Sequence, residues 1–159
     1  MISPKPATKN MNDMRKKMLF VILVTTTLLA CNKDNDGPPK TETLTSGTWK
    51  LTAYTTDYNK DGTFEENTYA ILGDCEKDNF YTFQAGGVLL KDEGPTMCIP
   101  SNPQTSTSTW SFQDNESSLI WAGSKKTIEE LSSTTLKLKA RVSYNVIFTI
   151  DVKTTYTKQ

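Results

Sequence analysis

Apolar and polar positions alternate with a period of two along most of this chain. Leu136, Leu138, Ala140 and Val142 alternate with Lys137, Lys139 and Arg141, the pattern of a half-buried strand. Tyr144, Val146, Phe148, Ile150 and Val152 alternate with Asn145, Thr149 and Asp151, and Ile147 is the one apolar residue on the polar side. Ser143, between the two runs, stands where a tight turn pairs them as a hairpin. Upstream, Trp49, Leu51 and Ala53 alternate with Thr48, Lys50, Thr52 and Tyr54. Residues 69–72, 80–83, 88–90, 109–112 and 119–121 form further short aromatic or aliphatic runs, separated by turn formers at Asp61-Gly62, Gly86-Gly87, Asp114-Asn115 and Gly123. With residues 127–131 the count is about eight or nine strands. No stretch beyond residue 31 keeps a helical period, so the expected class is all-β and antiparallel, a barrel or a sandwich. Parity turns Trp49, Trp110, Phe112, Tyr144 and Phe148 inward and leaves Trp121 on either face.

The other long apolar run, residues 18–29 (MLFVILVTTTLL), follows Arg15, Lys16 and Lys17 and precedes Ala30 and Cys31. A charged segment, a short apolar core and a small residue make an export signal. The run falls short of the roughly 20 residues a spanning helix needs, and Asn32, Lys33, Asp34, Asn35 and Asp36 turn the chain polar at once.

Residues 28–31, Leu-Leu-Ala-Cys, resemble the lipobox read by bacterial lipoprotein signal peptidase. The resemblance implies that Cys31 becomes the lipid-modified first residue of the mature chain. Acyl chains contribute about 0.8 kcal/mol per buried methylene, so several of them make a permanent membrane anchor. The organisation expected is a signal peptide over 1–30, a flexible tether over 31–43 with a Gly37-Pro38-Pro39 spacer, and a domain over 44–159. Initiation at Met11 or Met14 gives a more compact signal than Met1. The run Lys33-Asp34-Asn35-Asp36 is similar to the Lys-then-acidic signal that sends some Gram-negative lipoproteins to the cell surface, with Asn35 interrupting the acidic pair. Outer-membrane anchoring with surface display is one reading, and a plain solvated tether is the other.

Removing the signal changes the charge. The whole chain carries 18 basic and 18 acidic residues. Five basic residues (Lys5, Lys9, Arg15, Lys16, Lys17) and one acidic (Asp13) fall within 1–30, which leaves 13 against 17, a net charge of −4. Such a domain lacks the electrostatic footprint of a nucleic-acid binder. Cys75 and Cys98 remain after Cys31 is assigned to lipid. In an exported protein an even pair reads first as a disulfide, with two buried thiols or a redox pair as the alternatives.

Residues 44–51, Leu-Thr-Ser-Gly-Thr-Trp-Lys-Leu, resemble the opening strand of lipocalin-like domains, whose Gly-x-Trp motif is Gly47-Thr48-Trp49 here. Further matches to bacterial lipocalin-like lipoproteins follow in order. They are Cys75-x-Lys77-Asp78-Asn79 before Tyr81-Thr82-Phe83, then Gly87, then Glu93-Gly94 ahead of Cys98. Thr109-Trp110-Ser111-Phe112 and Leu131-Ser132 before Thr135-Leu136 complete the set. The resemblance implies an up-and-down barrel of about eight strands around a small calyx. The N-terminal helix and further motifs of the longer, classical lipocalins have no counterpart in this pattern.

The chain has no histidine. That removes histidine-based nucleophilic catalysis, histidine-ligated metals and the usual general base near neutral pH. Carboxylates remain at Asp74, Glu76, Asp78, Asp92, Glu93, Glu129 and Glu130, most beside turns or strand ends, where solvated charge is expected. Asp57-x-Asn59-x-Asp61-Gly62 matches the first half of an EF-hand-type calcium loop, but the twelfth position is Thr68 where a bidentate Glu is needed. The competing reading is an ordinary Asx-rich turn. If the barrel is open at one end, Trp110, Phe112, Leu136, Leu138, Val146 and Phe148 are the expected lining of an apolar pocket. The function expected is non-catalytic binding of a small apolar or amphipathic ligand, with no cofactor. The alternative is an envelope interaction module that meets protein or glycan through loops such as 97–107.

Overall fold

The computed structural model describes residues 38–143 and 148–159. Eight strands form one closed antiparallel barrel in which every strand pairs with its neighbour in sequence and β8 closes on β1. They are β1 (Thr48–Asp57), β2 (Phe80–Gln84), β3 (Val88–Asp92), β4 (Thr105–Gln113), β5 (Ser118–Trp121), β6 (Ser124–Leu131), β7 (Thr135–Ser143) and β8 (Thr149–Lys158). Among the described residues three short helices lie outside the ladder: α1 (Lys40–Thr45), α2 (Thr68–Ile71) and α3 (Asp74–Lys77). The barrel's own elements all fall within Gly37–Gln159, a compact unit in itself.

The predicted alternation holds where it was clearest. Along β7, Leu136, Leu138 and Ala140 are buried while Lys137 and Arg141 face solvent. Two predicted elements come out differently. Residues 69–72 are not a strand, because the ladder passes from β1 directly to β2 and leaves no partner for a strand between them. The segment forms α2 instead, with Tyr69 and Leu72 against the core and Ile71 exposed. A four-residue apolar run fits either period. The second correction concerns the last strand, which does not start at residue 144. Ser143 faces Thr149 across the β7–β8 ladder, and β8 then continues to Lys158. Its second half, Lys-Thr-Thr-Tyr-Thr-Lys, is polar apart from Tyr156, yet three threonines and the tyrosine suit a sheet. Tyr144, Val146 and Ile147 lie outside the described residues.

One end of the barrel is plugged. Helix α1, within the segment expected as tether and strand entry, lies against β2 and β6. Its Leu44 is fully buried beside Trp49, Phe83 and Leu136. The Trp49 indole donates to the Leu44 carbonyl at 2.8 Å, so burying its N–H costs nothing in hydrogen bonding. The Lys158 ammonium donates to the Thr43 carbonyl (2.8 Å) and the Ser46 hydroxyl (2.7 Å), tying β8 to α1. The stem of Lys158 lies across Gly47, where a Cβ would come within 2.9 Å of it. The Gly-x-Trp pattern therefore has a local cause. The glycine admits the lysine, and the tryptophan closes the floor.

Candidate functional site

At the opposite end, β1, β7 and β8 present Tyr54, Val142 and Val152 around a smaller apolar cluster with Ala140 and Ile150. Above it lies a cavity of about 570 Å³. Tyr81 and Tyr156 form its floor, meeting edge to face with ring centroids 5.8 Å apart. Both stack on Trp121, at 5.0 and 4.9 Å. Trp121 thus takes the inward face. Leu51, Val142, Val152 and Thr154 line the walls, and Leu72, Glu76 and Asn79 reach over from the α2–α3 segment. Cys98, Ile99 and Asn102 reach over from the β3–β4 connection.

These two overhanging segments are joined. Cys75 of α3 and Cys98 form a disulfide with Cα atoms 5.1 Å apart. Closing a loop of 23-residue separation stabilises by about 3 kcal/mol on the chain-entropy account. A second tie lies beside it: the Thr96 N–H donates to Asp78 Oδ2 at 2.9 Å. Gly94 adopts φ +72° directly against the Asp78 carbonyl, leaving no room for a Cβ. The lid is therefore braced at three points over the mouth. Against β4 the wall is lower, because β5 pairs only with Trp110–Gln113 while Thr105–Ser108 of β4 pair with β3 alone.

The charged lining divides into paired and unpaired groups. Lys91 and Glu93 form an ion pair at 2.7 Å. Glu76 accepts the Gly73 N–H at 2.9 Å and caps α3. Lys126 pairs in register with Leu119, a core residue, so its side chain enters the barrel. Burial pushes its pKa below the ordinary lysine value, and no carboxylate contributes an opposing effect. Among the described residues Lys126 makes no hydrogen bond or ion pair. Asn79 Oδ1 is likewise buried without a partner. Burial, and then Glu93, raise the pKa of the Tyr81 hydroxyl, and burial foremost raises that of Tyr156. Both phenols stay neutral at physiological pH.

The residues expected to line a pocket sit elsewhere. Trp110, Leu136 and Leu138 are buried in the main core and Phe112 packs against it, and none of the four lines this cavity. They face inward as expected, but at the height of the plug rather than the mouth. The Trp110 indole is already satisfied by the Gln84 carbonyl at 3.0 Å. Phe148 precedes β8 rather than lying inside it, and it is 37% exposed near the Lys60 ammonium. Val146 and Cys31 lie outside the described residues. Lys126 was missed because a Lys-Lys pair reads as solvated, although strand parity from Ile128 places it inward.

The candidate calcium loop is a turn. Asp57 is fully buried and accepts the backbone N–H groups of Lys60 (2.6 Å) and Gly62 (2.9 Å). Asn59 accepts the Asp61 N–H at 3.1 Å, and Asp61 accepts the Thr63 N–H at 2.7 Å. The would-be ligand oxygens are spent on the chain itself. Thr68, at the twelfth position, begins α2 and shares a hydrogen bond with the Thr56 hydroxyl at 2.6 Å. Among the described residues no three Asp, Glu, Cys or His side chains gather as a metal site.

A closed eight-stranded meander with one plugged end and one hollow mouth defines the calyx class of β-barrel. The chain belongs to the lipocalin-like domain family, whose family model matches residues 45–138. No curated protein matches it. Barrels of this family suit small-ligand binding and are typically non-catalytic.

Proposed function

We propose that this is an exported lipoprotein, anchored through Cys31, that holds a small amphipathic ligand in its barrel mouth without chemically converting it. The observation that carries the ligand reading is the cavity of about 570 Å³, with an apolar wall and a polar lid. Small-molecule sites span about 300–1,000 Å³ and combine an apolar lining with a few placed polar groups. Mass spectrometry of organic extracts from the purified protein tests this reading. The expected result is a co-purified amphipathic compound with the native chain and its loss with Val152→Trp, which fills the wall. Equal recovery from both proteins overturns it.

The anchor reading rests on residues 15–31. Metabolic labelling with a fatty acid is expected to mark the native chain and not Cys31→Ser. Outer-membrane residence and surface display follow from the Lys-then-acidic tether, and protease shaving of intact cells decides between display and a periplasmic face. The interaction-module reading draws less support. Residues 97–107 contain no aromatic side chain, and β4 already begins at Thr105.

A further inference from the structure

We infer that the ligand is an amphipathic anion and that Lys126 is the residue that reads its head group. The inference deepens the ligand reading above and rests on it. A position beside Leu119 on the neighbouring strand, two residues before Ile128, calls for an apolar side chain. Lysine there is half-buried and sets a cation beside an apolar wall, where an arriving counter-charge is favoured. Among the described residues no carboxylate pairs with Lys126. Glu93 is committed to Lys91 at 2.7 Å, and Glu76 caps α3 through the Gly73 N–H. Asn79 adds an independent sign: it is 5% exposed, lines the same cavity, and its Oδ1 has no partner. The Lys126 ammonium donates and the Asn79 Oδ1 accepts, so together they fit a head that carries an oxyanion and a hydroxyl on a hydrocarbon body. An ammonium donates only, so the group that meets Lys126 is an acceptor, best an oxyanion such as a carboxylate. The body lies on Leu51, Val142 and Val152.

Isothermal titration of the 37–159 unit with decanoate, decanol and decylamine, each below its aggregation concentration, tests the inference. Decanoate is expected to bind about tenfold or more tightly than decanol, the usual gain from a charge-assisted hydrogen bond, and decylamine weakest. Lys126→Met should bring decanoate to the level of decanol without changing decanol, and Lys126→Arg should retain the preference. Near-UV circular dichroism verifies folding, and Lys126→Gln replaces Met should that variant misfold. Equal binding of decanoate and decanol by the native protein overturns the anion inference and leaves the ligand reading standing. A preference that survives Lys126→Met or Gln overturns the role given to Lys126 and likewise leaves the ligand reading standing. No binding of any of the three probes overturns both.

Discussion

The two ends of this barrel obey opposite rules about buried polar groups. At the plugged end every large donor has found an acceptor: Trp49 on the Leu44 carbonyl, Trp110 on the Gln84 carbonyl, Lys158 on Thr43 and Ser46. At the mouth, Lys126 and Asn79 Oδ1, which line one cavity, and Asp78 Oδ1 in the lid are left without partners among the described residues. Lys126 is half-buried and Asn79 Oδ1 is fully buried, and an unpaired polar group out of water costs free energy that the plugged end shows the sequence can avoid. Their concentration at one end separates the part of the barrel that holds the fold from the part arranged for another molecule.

Breaking the plugged end should have the largest effect. Trp49→Ala removes a fully buried ring, its hydrogen bond and its contacts with Leu44. A loss of about 3–5 kcal/mol is expected, the usual cost of truncating a buried aromatic, read from urea denaturation with an unchanged m-value. Opening the lid ranks second. Cys75→Ser with Cys98→Ser should cost about 3 kcal/mol. Hydrogen exchange should show the loosening over residues 68–104 while 110–121 stay protected. Uniform loosening would mean that lid and floor unfold as one unit.

The third prediction reverses sign. If Lys126 serves the ligand at the expense of the free protein, Lys126→Met should raise the melting temperature of the ligand-free domain, by about 1–3 °C. Differential scanning calorimetry on delipidated protein measures it. A fall would mean that the ammonium stabilises the barrel, and the contrast between the two ends would weaken.

The same contrast explains what the sequence could disclose. Period-two alternation states whether a side chain faces in or out, and it did so for Trp49, Trp110, Leu136 and Leu138. It does not state height along the barrel axis, which depends on register and on the bulges at Leu51/Ala53 and Ile128/Glu130. Inward residues near the plug therefore looked the same as inward residues at the mouth. The disulfide was legible because export leaves two cysteines to pair. Helix α2 was not, because four residues carry too little period. β8 was misplaced because its final turns of ladder expose mostly threonine and lysine. Phe148 shares the parity of Ile150 and Val152 but lies ahead of the strand.

Acid should separate the two ends by the smallest but most selective effect. Among the described residues four carboxylates have pKa values held below the ordinary range, and three of them sit at the mouth end. Asp151 is lowered first by its hydrogen bond from Arg141, whose guanidinium donates at 2.6 and 2.9 Å. Asp92 is lowered by the Gln104 amide and the Gly94 N–H, and Asp61 by the Thr63 N–H. Asp114, paired with Lys125, is the one at the plugged end. A carboxylate with a depressed folded-state pKa stabilises the fold above its unfolded value, near pH 4, and that contribution disappears as pH falls through the folded value. Asp92 and Asp61 order loops, and Asp151 joins β7 to β8 beside the buried Asp57. Protonation should therefore release the mouth before the floor. Hydrogen exchange at about pH 3 against about pH 5, corrected for intrinsic rates, is expected to show protection lost over 57–66 and 92–104 while Trp49, Phe83 and the 110–121 ladder keep theirs. Loss at both ends together would show that the mouth carries no separate stability, and the division of labour between the two ends would fail with it.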